Sequence, residues 1–409
     1  MSETPIEPRT GPREAARLIA SRNFGPYFAG NALSASGMWF QSLAAALLVY
    51  RQTGSEFLLG VLSFAQFIPQ LVLAPWSGAA ADRFDRKRLI VIAQLAGTAA
   101  ATALAVLAWL DRAPTGVVIA LVLATGIASA VATPAALALI PSLVPERDVA
   151  SAVGLNSMTY NIARAAGPTL AALVVATAGI AAAFAVNAAS YVFLVVGILL
   201  VRPRPHARAE GRASLRESIA LVRREPRLAA FLLIVMLVGF ASDPINTLSP
   251  AFAEEFGRPD TWAGFVVGAF GAGAVAAAAL LAGRVTGSPG RMAATLALLG
   301  GGLVVFSLTP WLWLALPFVF VAGVGYLTSN TSATARLQLG VAESQRGRIM
   351  ALWSIAFLGV RPLASLLDGA VASAFGVRAA GLVMAVPPLL AAAAVYRFAR
   401  RRMAAAAAP

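Results

Sequence analysis

The sequence contains no cysteine and only one histidine, His206. Without thiolates, the chain cannot form a disulfide, hold a metal through sulfur or use a cysteine nucleophile. His206 lies in a segment rich in Pro and Arg, where we expect a solvated side chain. The sequence also shows no metal-ligand cluster, no set of nucleophile, base and acid, and no Gly-Lys-Ser/Thr loop for nucleotide phosphates. It therefore predicts no cofactor, no metal and no catalytic site, and it argues against ATP hydrolysis by this chain.

Charged residues are also scarce. They make up 12% of the 409 residues, whereas 59% are hydrophobic, and the mean hydropathy is +0.77. A soluble domain carries roughly 25% charged residues, so half that fraction leaves too little polar surface for a water-soluble particle. The net charge of +14 would favour nucleic acid as a partner, but the basic residues form short clusters between long apolar runs. We therefore expect a membrane protein surrounded by the lipid bilayer, with no nucleic-acid partner.

Twelve apolar runs approach or exceed the roughly 20 residues that a helix needs to cross the hydrocarbon core. They cover residues 25–49, 57–80, 89–110, 116–139, 150–176, 180–201, 229–252, 262–283, 292–309, 312–334, 349–371 and 377–397. Six runs precede the longest polar segment and six follow it. The predicted organisation is a tail (1–24), a six-helix bundle (25–201), a linker (202–228), a second six-helix bundle (229–397) and a tail (398–409). The predicted fold class is an all-α membrane protein with two pseudo-symmetric six-helix bundles.

Basic residues predict the orientation of these spans. Of the 32 Lys and Arg residues, 26 fall in segments on the side of the N-terminus, four fall on the opposite side and two fall inside spans. Because basic residues concentrate in cytoplasmic loops, we expect both termini in the cytoplasm. High Ala and Arg with a single Lys suit a GC-rich bacterial genome, so we expect a multi-pass protein of a bacterial inner membrane. The N-terminal tail lacks an apolar core with a cleavage site and is interpreted as retained, not as a signal peptide.

The linker divides into two parts. A basic, Pro-containing stretch that includes His206 predicts a flexible tether. The following SLRESIALVRREPRL predicts a short amphipathic helix on the anionic inner leaflet, opening at Ser214 with Glu217 three residues later. An unstructured tether over the whole linker is the alternative.

The strongest motif is GAAADRFDRKR, residues 78–88, between the second and third runs. Gly78 would permit close helix approach, and Asp82 would accept hydrogen bonds from a helix N-terminus or an arginine. The basic residues expected at the inner surface are Arg83, Arg86, Lys87 and Arg88. The motif resembles the signature of the major facilitator superfamily, with Asp85 in place of the usual second glycine. This variant resembles the branch of enterobactin exporters and macrolide efflux proteins, also described as transmembrane secretion effectors, although a plain positively charged inner loop is the alternative.

A second motif, NIARAAGPTLAA, lies in the fifth run and is centred on Gly167 and Pro168. Pro168 removes a backbone donor and bends a helix, while small neighbours permit tight packing. The segment resembles a motif of antiporter-type major facilitators, although two usual flanking glycines are alanine here. The resemblance implies an exporter, and an ordinary proline kink is the alternative. The fourth run, 116–139, contains no charge, whereas many proton-coupled relatives carry a basic residue there.

Three charged residues fall near the middle of predicted spans: Arg164, Asp243 and Arg361. Such a charge costs about 2.5–3.5 kcal/mol on insertion scales and usually faces a partner or a cavity. Asp243 precedes Pro244, where we expect the helix to break. We hypothesise that Asp243 takes up and releases a coupling proton, and a fixed ion pair with Arg361 or Arg164 is the alternative. Asp368 lies nearer the outer end of its run and is expected at the membrane interface.

Polar residues within the spans are candidates for a substrate cavity. Tyr160 and Arg164 are neighbours at i,i+4 on one helix face, and the resemblance implies that spans one, two, four, five and their second-half equivalents line the cavity. The candidates are Asn31, Gln41, Gln66, Gln70, Asn156, Tyr160, Asn161, Arg164 and Arg361. Mutual hydrogen bonding between helices is the alternative. Two arginines against one aspartate would favour an anionic or polar substrate.

The resemblance covers the whole chain. It implies a monomeric secondary exporter that moves a drug, siderophore or related metabolite out of the cytoplasm by proton antiport with alternating access. A faint repeat, in which the segment from Thr133 resembles the segment from Thr331, agrees with such a transporter, since internal repeats flank their midplane sites. An importer of the same fold, a non-transporting receptor or scaffold, and a membrane-embedded enzyme are the alternatives.

Overall fold

The computed structural model describes residues 12–204, 215–281, 289–342 and 345–407. Within these ranges every regular element is helical, as predicted. The helices are α1 Pro12–Ile19, α2 Gly25–Thr53, α3 Glu56–Arg83, α4 Arg86–Trp109, α5 Thr115–Leu143, α6 Val149–Leu200, α7 Leu215–Arg224, α8 Pro226–Ala241, α9 Asp243–Thr247, α10 Ser249–Glu255, α11 Ala263–Leu281, α12 Pro289–Leu308, α13 Leu312–Leu339, α14 Arg346–Leu358, α15 Arg361–Phe375 and α16 Val377–Ala407. The expected sites of His206 and Ser214 lie outside the described residues.

Eleven helical segments of the described chain are long and apolar enough to cross a membrane. The longest of them contains α6, whose 52 residues would measure about 78 Å as a straight helix, more than twice the hydrocarbon thickness. Gly179, with φ 85° and ψ 170°, leaves helical geometry inside α6, and glycine adopts such a positive φ without a Cβ clash. Gly179 therefore separates the fifth and sixth predicted spans, so the helices accommodate all twelve. The chain is a multi-pass membrane protein.

Two further spans are interrupted at charged residues. The seventh predicted span divides into α8, α9 and α10, and α9 begins at Asp243, which precedes Pro244. The eleventh divides into α14 and α15, and α15 begins at Arg361, which precedes Pro362. A proline is favoured in the first helical turn because its missing N–H would have no intrahelical partner there. The predicted break at Asp243 is therefore confirmed.

Other local expectations have mixed outcomes. The short helix expected after Ser214 is present as α7, whereas its position on a lipid surface stays a prediction. The N-terminal tail contains α1, which the sequence interpretation did not anticipate. Helix α6 continues through Pro168, and Gly179 is its one residue with non-helical dihedral angles.

The helices form two compact units. The first comprises Met1–Ala45 and Ile68–Glu210, with α4 packed against both α5 and α6. Its apolar core includes the fully buried rings of Phe24 and Tyr27. This core ties the segment before α2 to the later helices of the same unit.

The second unit comprises Ala46–Phe67 and Gly211–Pro409. In it, α12 packs against α13 and α16, while α11 packs against α13. The segment Ala46–Phe67, which contains the end of α2 and the start of α3, falls within the predicted N-terminal bundle, yet it packs as part of this unit. The two-bundle bounds remain a prediction.

Within the second unit, α3 crosses α15 at a contact between two glycines. A Cβ at Gly60 would lie 2.4 Å from the carbonyl oxygen of Ser365 and 3.1 Å from Cα of Gly369. A Cβ at Gly369 would lie 2.8 Å from the carbonyl oxygen of Glu56. Neither backbone can yield without moving its helix, so this crossing requires glycine at both positions.

We predict that Gly60→Ala lowers the stability of the protein by about 1–3 kcal/mol, because the added methyl group overpacks a backbone contact. Gly301→Ala is the matched control, since a Cβ at Gly301 meets no atom within 4 Å and alanine favours a helix. Thermal unfolding in detergent should show a lower midpoint for Gly60→Ala alone. Equal midpoints for the two variants would contradict the close crossing.

Candidate functional site

Asp243 and Arg361 form a buried ion pair in the second unit. Oδ1 of Asp243 accepts a hydrogen bond from Nε of Arg361 at 3.5 Å, and Oδ2 accepts one from Oγ1 of Thr247 at 2.8 Å. Asp243 is fully buried and Arg361 is 8% exposed. Both residues begin helical segments that follow a break, so the two interrupted spans meet at this pair. The pairing with Arg361 is one of the two interpretations that the sequence left open for Asp243.

Helix α3 also contributes residues to this site, in addition to α9 and α15. The guanidinium carbon of Arg361 lies 4.0 Å from the ring centroid of Phe67, a cation–π geometry. Thr247, which donates to Asp243, is also hydrogen bonded to the hydroxyl of Ser63 at 3.1 Å. The glycine crossing of α3 with α15 brings these α3 residues within reach of the ion pair.

A second carboxyl group, that of Asp368, belongs to the same site. Asp368 lies on α15 two turns after Arg361, and it is fully buried. Its carboxyl group interacts with the carboxyl group of Asp243. Asp368 is thus buried among the helices, and the expectation that it lies near the membrane interface stays a prediction. The helical period places residue 368 on the same face as residue 361, and that face is turned toward α9.

We refer to Asp243, Arg361 and Asp368 as the carboxyl–arginine cluster. It contains two carboxyl groups and one guanidinium, all in the second unit. The count of two arginines against one aspartate did not include Asp368, and the preference for an anionic or polar substrate stays a prediction. The cluster is not positive overall when all three groups are ionised.

The first unit contains polar side chains that satisfy one another. Nδ2 of Asn31 donates to Oδ1 of Asn156 at 2.8 Å. Gln41 is buried, donates to Oγ1 of Thr125 at 2.7 Å and accepts from Nδ2 of Asn187 at 2.7 Å. For Gln41 this is the interhelical hydrogen bonding that the sequence left as the alternative to a cavity position.

The remaining cavity candidates are distributed over both units. Arg164 is buried in the first unit, and Tyr160, one turn earlier on the same helix, is 40% exposed. Gln66 and Gln70 are half-buried on α3. The side chain of Asn161 lies outside the described residues. A cavity role for these residues stays a prediction.

Gly167 has no side chain, and this permits the tight helix packing that the motif predicts. A Cβ at Gly167 would lie 2.8 Å from Cβ of Trp39, so α6 approaches α2 closely at this point. Both residues belong to the first unit. The role in export that the resemblance implies for this motif stays a prediction.

The loop between α3 and α4 is held by Asp85, Arg86 and Lys87. Asp85 caps α4, since its side chain accepts from the backbone N–H of Arg88 at 2.8 Å. Arg86 donates to the carbonyl oxygen of Ala138 at 2.8 Å, and Lys87 donates to that of Val201 at 2.7 Å. The residue that replaces the second glycine of the motif therefore has a defined capping role.

Two expectations for this loop differ from the structure. Asp82 is exposed, and the acceptor at the N-terminus of α4 is Asp85. A Cβ at Gly78 would meet no atom within 4 Å, so the close helix approach expected there is absent from this conformation. Arg83 and Arg88 are exposed.

Sequence reasoning missed four residues around the ion pair: Ser63, Phe67, Thr247 and Asp368. The i,i+4 spacing of Asp243 and Thr247 and the i,i+7 spacing of Arg361 and Asp368 were available signals. Ser63 and Phe67 carried no comparable signal, because only the packing of α3 against α15 brings them to the site.

The chain is similar to known proteins over most of its length. The profile of a protein family described as "Transmembrane secretion effector" matches residues 19–409. Macrolide efflux protein A of Streptococcus pyogenes is 28% identical over 57% of this chain and 59% of its own length. The chain thus aligns with about three fifths of that relative. The enterobactin exporter EntS of Shigella boydii is 26% identical over 81% of this chain and 80% of its own length.

Among solved structures, a bacterial homologue of the human lysosomal transporter Spinster in an inward-facing, unoccupied conformation has a TM-score of 0.73. It is 15% identical and covers 96% of this chain and 98% of its own chain. At this identity the likeness concerns the fold alone. It confirms the predicted fold class.

We predict that Arg361→Gln destabilises the protein by about 3–5 kcal/mol, because the buried carboxyl group of Asp243 loses its cation and becomes neutral only by binding a proton. The double variant Arg361→Gln/Asp243→Asn should recover part of this loss, since the uncompensated charge is removed too. Thermal unfolding of the single and double variants measures both values. Additive losses in the double variant would contradict the pairing.

Proposed function

Because the chain belongs to the transmembrane secretion effector family, we propose that it exports a small molecule from the cytoplasm in exchange for protons. The observation that carries this proposal is the carboxyl–arginine cluster, buried where two interrupted helices meet. A multi-pass protein rarely buries ionisable groups within its spans, and those that it does bury usually serve ion or substrate pathways.

The site can supply what proton coupling needs. A carboxyl group that binds a proton in one state and loses it in another changes the charge of the site by one. Asp243 and Arg361 both begin helical segments after a break, and backbone groups without an intrahelical partner at a break need another partner or water in a membrane. Alternating access would expose this region to each side of the membrane in turn.

The relatives support a proposal for the substrate class. Proteins named for macrolide efflux, enterobactin export and multidrug efflux are similar to this chain. The proposed cargo is therefore a drug, a siderophore or a related metabolite. The proposed location is a bacterial inner membrane with both termini in the cytoplasm, consistent with the distribution of the 32 basic residues, and the proposed active species is the monomer.

Asp243→Asn should abolish proton-driven efflux, because an amide cannot take up and release a proton at neutral pH. The measurement uses everted membrane vesicles energised to acidify their interior, with a panel of siderophores and hydrophobic antibiotics. Wild type should accumulate at least one compound in the vesicles and dissipate the proton gradient as it does so. The variant should do neither.

Asp111→Asn is the matched control. Asp111 is an exposed aspartate with φ 50°, a conformation that asparagine tolerates, so transport should be unchanged. Undiminished proton-driven efflux by Asp243→Asn would eliminate Asp243 from the coupling path. Movement of the substrate in the opposite direction would show an importer, and no movement of any panel compound by wild type would refute the proposed substrate class.

A further inference from the structure

The environment of Asp368 is unusual for a buried acid. Within the described part of the chain, neither of its carboxyl oxygens accepts a hydrogen bond from an N–H or hydroxyl group. The carboxyl group of Asp243 interacts with it. A buried carboxylate normally has donors or a cation beside it, because an isolated buried charge is very costly. Asp368 has an acid instead.

Asp243 already has its own partners. Arg361 and Thr247 each donate to one of its two oxygens, which is the arrangement expected for an ionised carboxylate. Two ionised carboxylates contain only acceptors and cannot hydrogen bond to each other. A hydrogen bond between Asp243 and Asp368 therefore requires a proton on one of them, and the donors around Asp243 leave Asp368 as its carrier.

The charge count leads to the same assignment. Among the described residues, the charged groups that interact with Asp368 or Asp243 are these two carboxyl groups and Arg361, contributed by α9 and α15, while α3 contributes the neutral Ser63 and Phe67 to the site. With all three ionised, the cluster has a net charge of −1, and one proton makes it neutral. Neutrality is the low-energy state for buried ionisable groups.

We infer that Asp368 carries the exchangeable proton of this site and donates it to Asp243, while Asp243 and Arg361 remain an ion pair. On release, the O–H bond of Asp368 breaks, its electron pair stays on the carboxylate and the proton passes to water. Uptake reverses this step. The inference rests on the proposed proton antiport and changes the residue that performs it, since Asp243 becomes the acceptor that positions the proton.

Infrared spectroscopy of the purified full-length protein in lipid nanodiscs tests this inference without any substrate. A protonated carboxyl group gives a carbonyl stretching band that is distinct from carboxylate bands and shifts in D₂O. Wild type at neutral pH should show such a band. Asp368→Asn should lose it, because Asp243 and Arg361 are then neutral together. Asp111→Asn should keep it at wild-type intensity.

Arg361→Gln should change the intensity of the carboxylic acid band in the opposite direction. Without the guanidinium, neutrality requires a proton on both carboxyl groups, so the intensity of the band should rise about twofold. If Asp368→Asn does not fold, the wild-type and Arg361→Gln spectra still test the inference. Absence of the band in wild type, or its persistence in Asp368→Asn, would overturn it.

These outcomes are separate from those of the transport experiment. A band that depends on Asp368, together with failure to transport any panel compound, would support the proton site and leave the proposed cargo refuted. Proton-driven efflux together with no carboxylic acid band would support antiport and refute Asp368 as the carrier. Efflux that survives in Asp368→Asn but stops in Asp243→Asn would likewise refute Asp368 and return the role to Asp243.

Discussion

Charge neutrality inside the membrane-spanning helices is the constraint on which the carboxyl–arginine cluster depends. Asp243 and Asp368 are fully buried, and Arg361 is nearly so. A single unpaired charge at such a position is among the most costly features that a helical membrane protein can contain. The charges of Asp243 and Arg361 compensate each other in the ion pair, and a proton on Asp368 removes the third charge. A site balanced by one proton changes its net charge when that proton leaves.

The fold supplies the geometry that makes this balance possible. Asp243 and Arg361 each precede a proline and begin a helical segment, so their helices are interrupted where the charges meet. The glycine crossing between α3 and α15 then brings Phe67 against the guanidinium and Ser63 against Thr247. Residues of α3, α9 and α15 therefore meet at one site in the second unit.

Much of the architecture follows from the sequence, because apolar length and the distribution of basic residues are strong signals in a membrane protein. The helical character of the runs, the separation near Gly179 and the break at Asp243 are recovered in the helices. The motif at residues 78–88 identified the correct branch of transporters. These features depend on local composition, which a single sequence displays directly.

The site itself was only half predictable. Asp243 and Arg361 stood out because charges are rare within apolar runs. The link of Asp368 to the ion pair was not predicted, because distance from the end of a run indicates depth in the membrane, whereas burial depends on which neighbour the helix face meets. Similarly, Gln41 was a candidate for the cavity, and its hydrogen-bond partners Thr125 and Asn187 were not predicted. Such partners come from other helices, and spacing along one helix cannot identify them.

Transport by purified protein in proteoliposomes tests the account most directly. Substrate exchange at equal pH requires no net proton movement, whereas accumulation driven by a pH gradient requires the exchangeable proton. For a compound that wild type transports, Asp368→Asn should retain exchange and lose accumulation driven by the gradient, because its ion pair is intact and its proton is gone. Gradient-driven accumulation by Asp368→Asn at the wild-type level would contradict the claim that this buried carboxyl group couples the protein to protons.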